Sequence, residues 1–359
     1  VVSEHIARKA SGQIQAVQYL RGVAAMMVVV HHALHDRAGF FSPFAEVDLG
    51  RPGVLIFFVI SGFVMMHACR GEPASTFARR RIIRVVPLYW LMTLVFFAIV
   101  FRNDLAANEP LRRVPELLGS LFFVPHYHSG VPTEIWPILV PGWTLNYEMF
   151  FFAVFFVGIL AGRPGLVASL ILAALVVVGQ VVDSTDARVL TWTSPFLLLF
   201  IFGIGLAALW KRTDFRRAWP LLPIGLALAF LAGFSGLQGA STTLAFFVAA
   251  VLTVAGTLGI QSLAPNLHMS WLSAIGDASY SIYLSHTILM VILYKGLARL
   301  PLEGWAQFVV TNGLAVVICT IAGIAIYRLV ERPMIRALRT RLEPRREPSG
   351  AAARSGGTT

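Results

Sequence analysis

Arg21 and His32 stand eleven residues apart in the first long apolar run, Ile14 to Ala33. At 100° per residue that spacing returns to within about 20° of the same helix face, with roughly 16 Å of rise between the two side chains. An ionisable group inside a bilayer is costly and by default faces a cavity or a partner. A neutral imidazole can take a proton near working pH or carry an acyl group itself. A guanidinium meets phosphate or carboxylate with a fixed fork of donors. One stripe bearing both is a candidate reaction path. The blander arrangement has Arg21 snorkelling towards one surface and His32 capping the other. His31, turned about 100° away, is the weaker candidate.

The elements that must position this stripe are membrane helices. Hydrophobic residues make up 57% of the 359 and charged residues 13%, about half the charged share of a soluble domain. Mean hydropathy is +0.73. The apolar runs approach the roughly 20 residues that cross a bilayer core, and runs of that length satisfy their backbone as helices. The alternating short segments of a β-barrel are not seen. The fold class expected is all-α and polytopic. Spans are expected near 14–34, 53–69, 86–102, 141–161, 165–182, 190–210, 219–237, 243–261, 277–297 and 306–328. A short apolar segment at 117–125 suits a re-entrant or interfacial helix.

The net charge of +11 is distributed between the apolar runs and in the tail, which marks topology rather than a nucleic-acid face. With both ends cytoplasmic, inner segments hold twenty basic residues and outer segments eight, the excess that the positive-inside rule requires. The expected organisation is a cytoplasmic segment at 1–13, a membrane domain at 14–333, and a basic tail at 334–359 without ordered structure. The location expected is a bacterial inner membrane, with the first run leading directly into the polytopic chain rather than acting as a cleaved leader. Cys69 and Cys319 both lie in apolar segments, so neither a disulfide framework nor a cysteine metal site is expected. No metal is expected at His126 and His128 either, since two histidines in an outer loop without a paired third ligand are ordinary loop residues.

The first run resembles the signature helix of the membrane acyltransferase-3 family, in which ten residues separate an Arg and a His. Four further segments match in order. Gly53-Val-Leu-Ile-Phe-Phe-Val-Ile-Ser-Gly-Phe63 resembles the second span, and Arg79-Arg-Arg-Ile-Ile-Arg-Val-Val-Pro-Leu-Tyr-Trp90 the basic loop and third-span entry. Pro141-Gly-Trp-Thr-Leu-Asn-Tyr-Glu-Met-Phe-Phe151 and Gly276-Asp-Ala-Ser-Tyr-Ser-Ile-Tyr-Leu-Ser-His286 resemble the mid-chain and late motifs. The resemblance covers 14 to about 333 and is strongest to exopolysaccharide O-acetyltransferases of the succinoglycan type. In one departure, Leu55 stands where many relatives carry Asp, so any catalytic role of that Asp is absent here or supplied elsewhere.

This resemblance implies transfer of an acyl group, usually acetyl, from cytoplasmic acetyl-CoA to a sugar hydroxyl of a polysaccharide or lipid-linked glycan. His32 then acts as general base or acyl carrier, and Arg21 lies on the path of the donor's pantetheine arm. Arg81 and Arg84, matching the family's Arg-x-x-Arg, together with Arg80, offer guanidiniums to the CoA phosphates; plain topology accounts equally for a basic loop. Glu148, about six residues into a span entering from outside, is expected roughly 9 Å below that surface, close to His32, where a carboxylate orients an imidazole. A salt bridge to Arg21 is its alternative. His286 either binds substrate or bonds a neighbouring helix. Trp143 is an interfacial aromatic or a platform for a sugar ring. Ser61-Gly62 suits close helix packing, and Asp277 and Ser279 read as an N-terminal cap.

Two other functions compete. A permease would line a path for a small anion or glycan with the same ionisable groups. A scaffold for polysaccharide assembly leaves the buried charges without a purpose. Oligomeric state is open at this stage.

Overall fold

With no water in the bilayer core, each long apolar run bonds its own N–H and C=O groups in a helix. The computed structural model describes residues 14–35, 37–68, 71–106, 113–237 and 239–342, and helix follows helix along it. The order is α1 (Gln15–Leu34), α2 (Gly50–Ala68), α3 (Ala74–Ala106), α4 (Val114–Leu121), α5 (Trp143–Leu160), α6 (Pro164–Val181), α7 (Ala187–Trp192) and α8 (Leu197–Trp210). It continues with α9 (Leu221–Phe234), α10 (Ala240–Leu263), α11 (Ser270–Asp277), α12 (Ser279–Leu297), α13 (Gly304–Ile326) and α14 (Arg332–Leu342). Among the described residues the one pairing of extended backbone is an isolated bridge between His128 and Val131.

Among these residues nine segments are long and apolar enough to cross a membrane. α12 is nineteen residues long but more polar, and its polar side chains Ser281, Ser285 and His286 are all buried. With α12 the described segments of spanning length match the ten expected. The protein is an all-α polytopic membrane protein. α2 and α10 are central, with 67% and 61% of their apolar windows buried, whereas α6 and the segment containing α9 bury only 22% and 17%. The outer faces of those two present Leu170, Val177, Val181 and Leu231 to the surroundings, as lipid-facing helices do. The short segment expected at 117–125 is α4, amphipathic, with Glu116 and Ser120 buried and Leu118 exposed.

Two boundaries differ from expectation. Arg79 to Arg84 do not form a loop: α3 already begins at Ala74 and carries them on its first turns. A hydropathy scan scores these arginines as a break, yet arginine is a good helix former. The segment expected to lack order from 334 is helical as far as Leu342. Residues 1–13, Cys69 and the tail 343–359 lie outside the described residues.

Candidate active site

Two cavities lie along α1, eleven residues apart. The first, about 150 Å³, is lined by Arg21 from α1, Ser61 from α2, Arg81 and Arg84 from α3, Glu148 from α5, and Ser279, Tyr280 and Tyr283 from α12. Backbone contact between α2 and α8 places Ser61. A Cβ added to Gly62 would meet the Phe200 carbonyl oxygen at 2.2 Å, and one on Gly203 would meet that of Val59 at 2.2 Å. Small residues permit this approach between membrane helices. Ser61 Oγ then donates to Glu148 Oε1 at 3.1 Å.

The helical form of α3 sorts its arginines. Arg81 and Arg84, three apart, share one face and both enter the cavity. Arg80 is exposed and pairs with Glu72 at 2.6 Å, so the structure does not bring it to the cavity. Arg84 is held by Glu331, a fully buried carboxylate that also accepts from Ser281 Oγ at 2.5 Å. Glu331 ends a π-helical turn, Tyr327–Glu331. Pro333 follows it; proline has no N–H to donate and its ring crowds the carbonyl four residues back, which favours such a widened turn. The Arg81 Nε–H is buried and meets no hydrogen-bond partner among the described residues, and the same is true of Ser279 Oγ.

Glu148 is not beside His32. Its carboxylate faces the guanidiniums of Arg21, Arg81 and Arg84. The expectation failed because it counted depth from residue 141 as though α5 began at the surface. Instead Ile138, Leu139, Pro141 and Gly142 are buried. Tyr283, in α12, donates to the Pro141 carbonyl at 2.9 Å. The chain turns inside the bundle, so six residues further on lies past the depth of His32. The same burial removes Trp143 from the interface. It packs among Phe58, Tyr147 and Phe196, with centroids 5.9–6.5 Å away, and lines neither cavity. Nor are Asp277 and Ser279 caps: Asp277 accepts from Gln18 at 2.8 Å, and α12 has no side-chain cap.

The second cavity, about 350 Å³, is lined by His32, Arg37, Thr287, Met290, Val291 and Tyr294. His32 Nδ1 lies 2.9 Å from the Val28 carbonyl. A carbonyl only accepts, so Nδ1 carries the hydrogen and Nε2 keeps its lone pair. Arg37 donates to the His32, Ala33 and His35 carbonyls and lies 4.0 Å from the Tyr294 ring centroid, closing the last turn of α1. His31 instead holds the following loop, with Nδ1 3.2 Å from the Val47 carbonyl. His286 is fully buried, and its ring lies 4.9 Å from that of His32 and 6.0 Å from that of Tyr283. Tyr283, in turn, lines the first cavity.

A family of acyltransferase domains, acyltransferase-3, matches residues 14–326. The chain belongs to this acyltransferase family. Among its relatives is the exopolysaccharide production protein ExoZ of Rhizobium meliloti (strain 1021), 38% identical over 86% of this chain and 95% of that protein. Another is the acyltransferase MdmB of Streptomyces mycarofaciens, 28% identical over 81% of this chain and 82% of that one. No solved structure matches. Membership decides between the classes that the ionisable stripe left open: the protein is a membrane acyltransferase acting on groups other than aminoacyl groups.

The acyltransferase carries Leu55 fully buried in its apolar core, so no carboxylate enters from that position. Sequence reasoning overlooked Glu331 and Arg37, and it read Ser279 as a cap rather than as a cavity-lining hydroxyl. For Glu331 a signal was present, an acid closing the last apolar run, where an intramembrane carboxylate calls for a partner. For Ser279 and Arg37 only the packing supplies one. Outside the spans, burial lowers the His128 pKa, with Glu116 opposing it. Among the described residues no cluster of three or more His, Cys, Asp or Glu side chains is placed to hold a metal.

Proposed function

We propose that the protein transfers an acyl group, acetyl in the first instance, from cytoplasmic acyl-CoA to a hydroxyl of an exopolysaccharide or other cell-envelope glycan. It would do so in the bacterial inner membrane with both termini cytoplasmic. One observation carries the reading: α1 joins a guanidinium-lined cavity at Arg21 to an imidazole-lined one at His32, and Tyr283 and His286 stand between them. A donor with a phosphorylated head and a slender acylated arm has the matching polarity.

In this reading Arg81, with its unpartnered buried Nε–H, meets phosphate, since charge-assisted bonds to guanidinium are the strong ones. Arg84 holds the cavity wall through Glu331, and Glu148 and Arg21 set the charge along the arm. Arg80 serves at most the outer phosphates. The first cavity takes a narrow chain rather than a nucleotide. His32 presents its Nε2 lone pair as general base to the acceptor hydroxyl. That oxygen attacks the thioester carbonyl, the C–S bond breaks, and the leaving thiolate recovers the proton. The identity of ExoZ as an exopolysaccharide production protein supports a sugar acceptor.

The test is purified protein in nanodiscs with labelled acetyl-CoA and a de-O-acylated exopolysaccharide. Base-labile labelled product should form, and His32→Ala and His32→Gln should lower turnover by about 10²–10⁴-fold while keeping the thermal unfolding midpoint. Wild-type turnover in a folded His32→Ala protein rejects the assignment.

A further inference from the structure

His286 stands where the acid–base chemistry of His32 needs a second group. Its Nδ1 lies 2.6 Å from the Tyr283 carbonyl, so Nδ1 carries the hydrogen and Nε2 is left as an acceptor. That Nε2 is buried and has no hydrogen-bond partner. A buried acceptor left without a donor is costly, so the site is arranged for a donor that arrives. One source is the His32 imidazole, whose ring lies 4.9 Å away between centroids at an interplanar angle of 68°.

Neutral His32 has nothing to donate from Nε2, because its one hydrogen is on Nδ1 towards Val28. Once it has taken a proton it has an Nε2–H, and His286 is the lone pair waiting for it. We propose that His286 is the positioning partner of His32, accepting a hydrogen bond from the imidazolium formed when His32 removes the acceptor's proton. The proposal rests on the reading of His32 as base. No covalent bond changes at His286: the proton comes from the acceptor hydroxyl, is held between two imidazoles, and returns to the thiolate as the thiol product forms. In other acyl-transfer sites a carboxylate bonds the ring nitrogen opposite the one that takes the proton; in His32 that opposite nitrogen is held by the Val28 carbonyl, so His286 shares Nε2 with the acceptor instead.

The groups around the pair are few. On α1 they are His31 and, just beyond the helix, His35, with Arg37 following and Asp48 and Arg51 behind His31. On α12 they are Tyr283 and Tyr294, and on α13 Cys319, whose Sγ is 3.7 Å from the His286 carbonyl. None of these is a carboxylate against His32 itself, so the neighbouring imidazole has no rival for the proton.

The experiment measures acyl transfer against pH with the full chain in nanodiscs, labelled acetyl-CoA and de-O-acylated exopolysaccharide. An acceptor for the imidazolium stabilises the protonated form of His32 and so raises its pKa; removing it moves the acid limb to lower pH. His286→Phe should lower kcat at least tenfold, shift the acid limb acidward by about half a pH unit or more, and leave KM for acetyl-CoA unchanged. His286→Met gives the same reading if the larger ring unfolds the core. His286→Gln, whose amide oxygen accepts, should recover most of kcat and return the limb. Loss of rate with an unmoved limb, or a rise in KM alone, overturns the proposal, as does wild-type kcat in His286→Phe. Retained turnover in His32→Ala is a separate outcome that removes the base reading instead.

Discussion

At the residue scale, three arginines within five positions have three different surroundings. Arg80 faces outward to Glu72, Arg84 is held by Glu331, and Arg81 brings an unpartnered donor to the cavity. If Arg81 meets the donor's phosphates, Arg81→Ala should raise KM for acyl-CoA by about 10- to 150-fold, the range of a charge-assisted hydrogen bond worth 1.5–3 kcal/mol. Arg80→Ala should change it less than twofold, because an exposed ion pair contributes little. Steady-state kinetics at constant ionic strength separates the two. The spacing of Arg81 and Arg84 was readable in the chain, but their different partners were not. Glu331 is nearly 250 residues away, and only folding sets it beside Arg84.

At the element scale, the site depends on where helices begin and how closely they approach. The early start of α3 turns a basic stretch into a face, and the buried turn before α5 carries Glu148 past His32 to Arg21. The start of α3 and the depth of α5 both depart from the hydropathy reading, although the α5 span itself lies where expected, because hydropathy registers composition but not burial. The π-helical turn before Pro333 sets Glu331 against Arg84. Glu331→Ala should lower stability by about 3–5 kcal/mol, since removing one partner leaves a buried charge uncompensated. Glu331→Gln, which keeps a polar partner for Ser281, should cost less. Denaturant unfolding in mild detergent gives the comparison. Gly203→Val should be as damaging, because a Cβ there already meets the Val59 carbonyl at 2.2 Å; loss of folded monodisperse protein is the readout.

At the scale of the whole molecule, the arginine-lined cavity and the imidazole-lined one are separated along α1 by roughly 16 Å of rise. In the proposed orientation, which follows the positive-inside excess, the arginine end faces the cytoplasm. Ala38→Cys, exposed in the loop after α1, should then be labelled by an impermeant maleimide added to intact cells. Arg163→Cys, exposed between α5 and α6, should be labelled only after the membrane is opened. The reverse pattern would invert the proposed route of the donor.

The chain by itself determined that this is a helical membrane protein of about ten spans, that Arg21 and His32 share a stripe, and that five segments resemble one acyltransferase family. Those features are local: run length, helical period and short motifs survive without knowledge of the neighbours. Only the tertiary structure decided which groups meet. It gave Glu148 to Arg21 instead of His32, Glu331 to Arg84, and His286 to His32, and it took Trp143 into an aromatic core. Helices that cross a bilayer can be counted from hydropathy, but their rotation, depth and neighbours are set by close packing and by pairing of buried polar groups. Those pairings join residues hundreds of positions apart, so no local pattern records them.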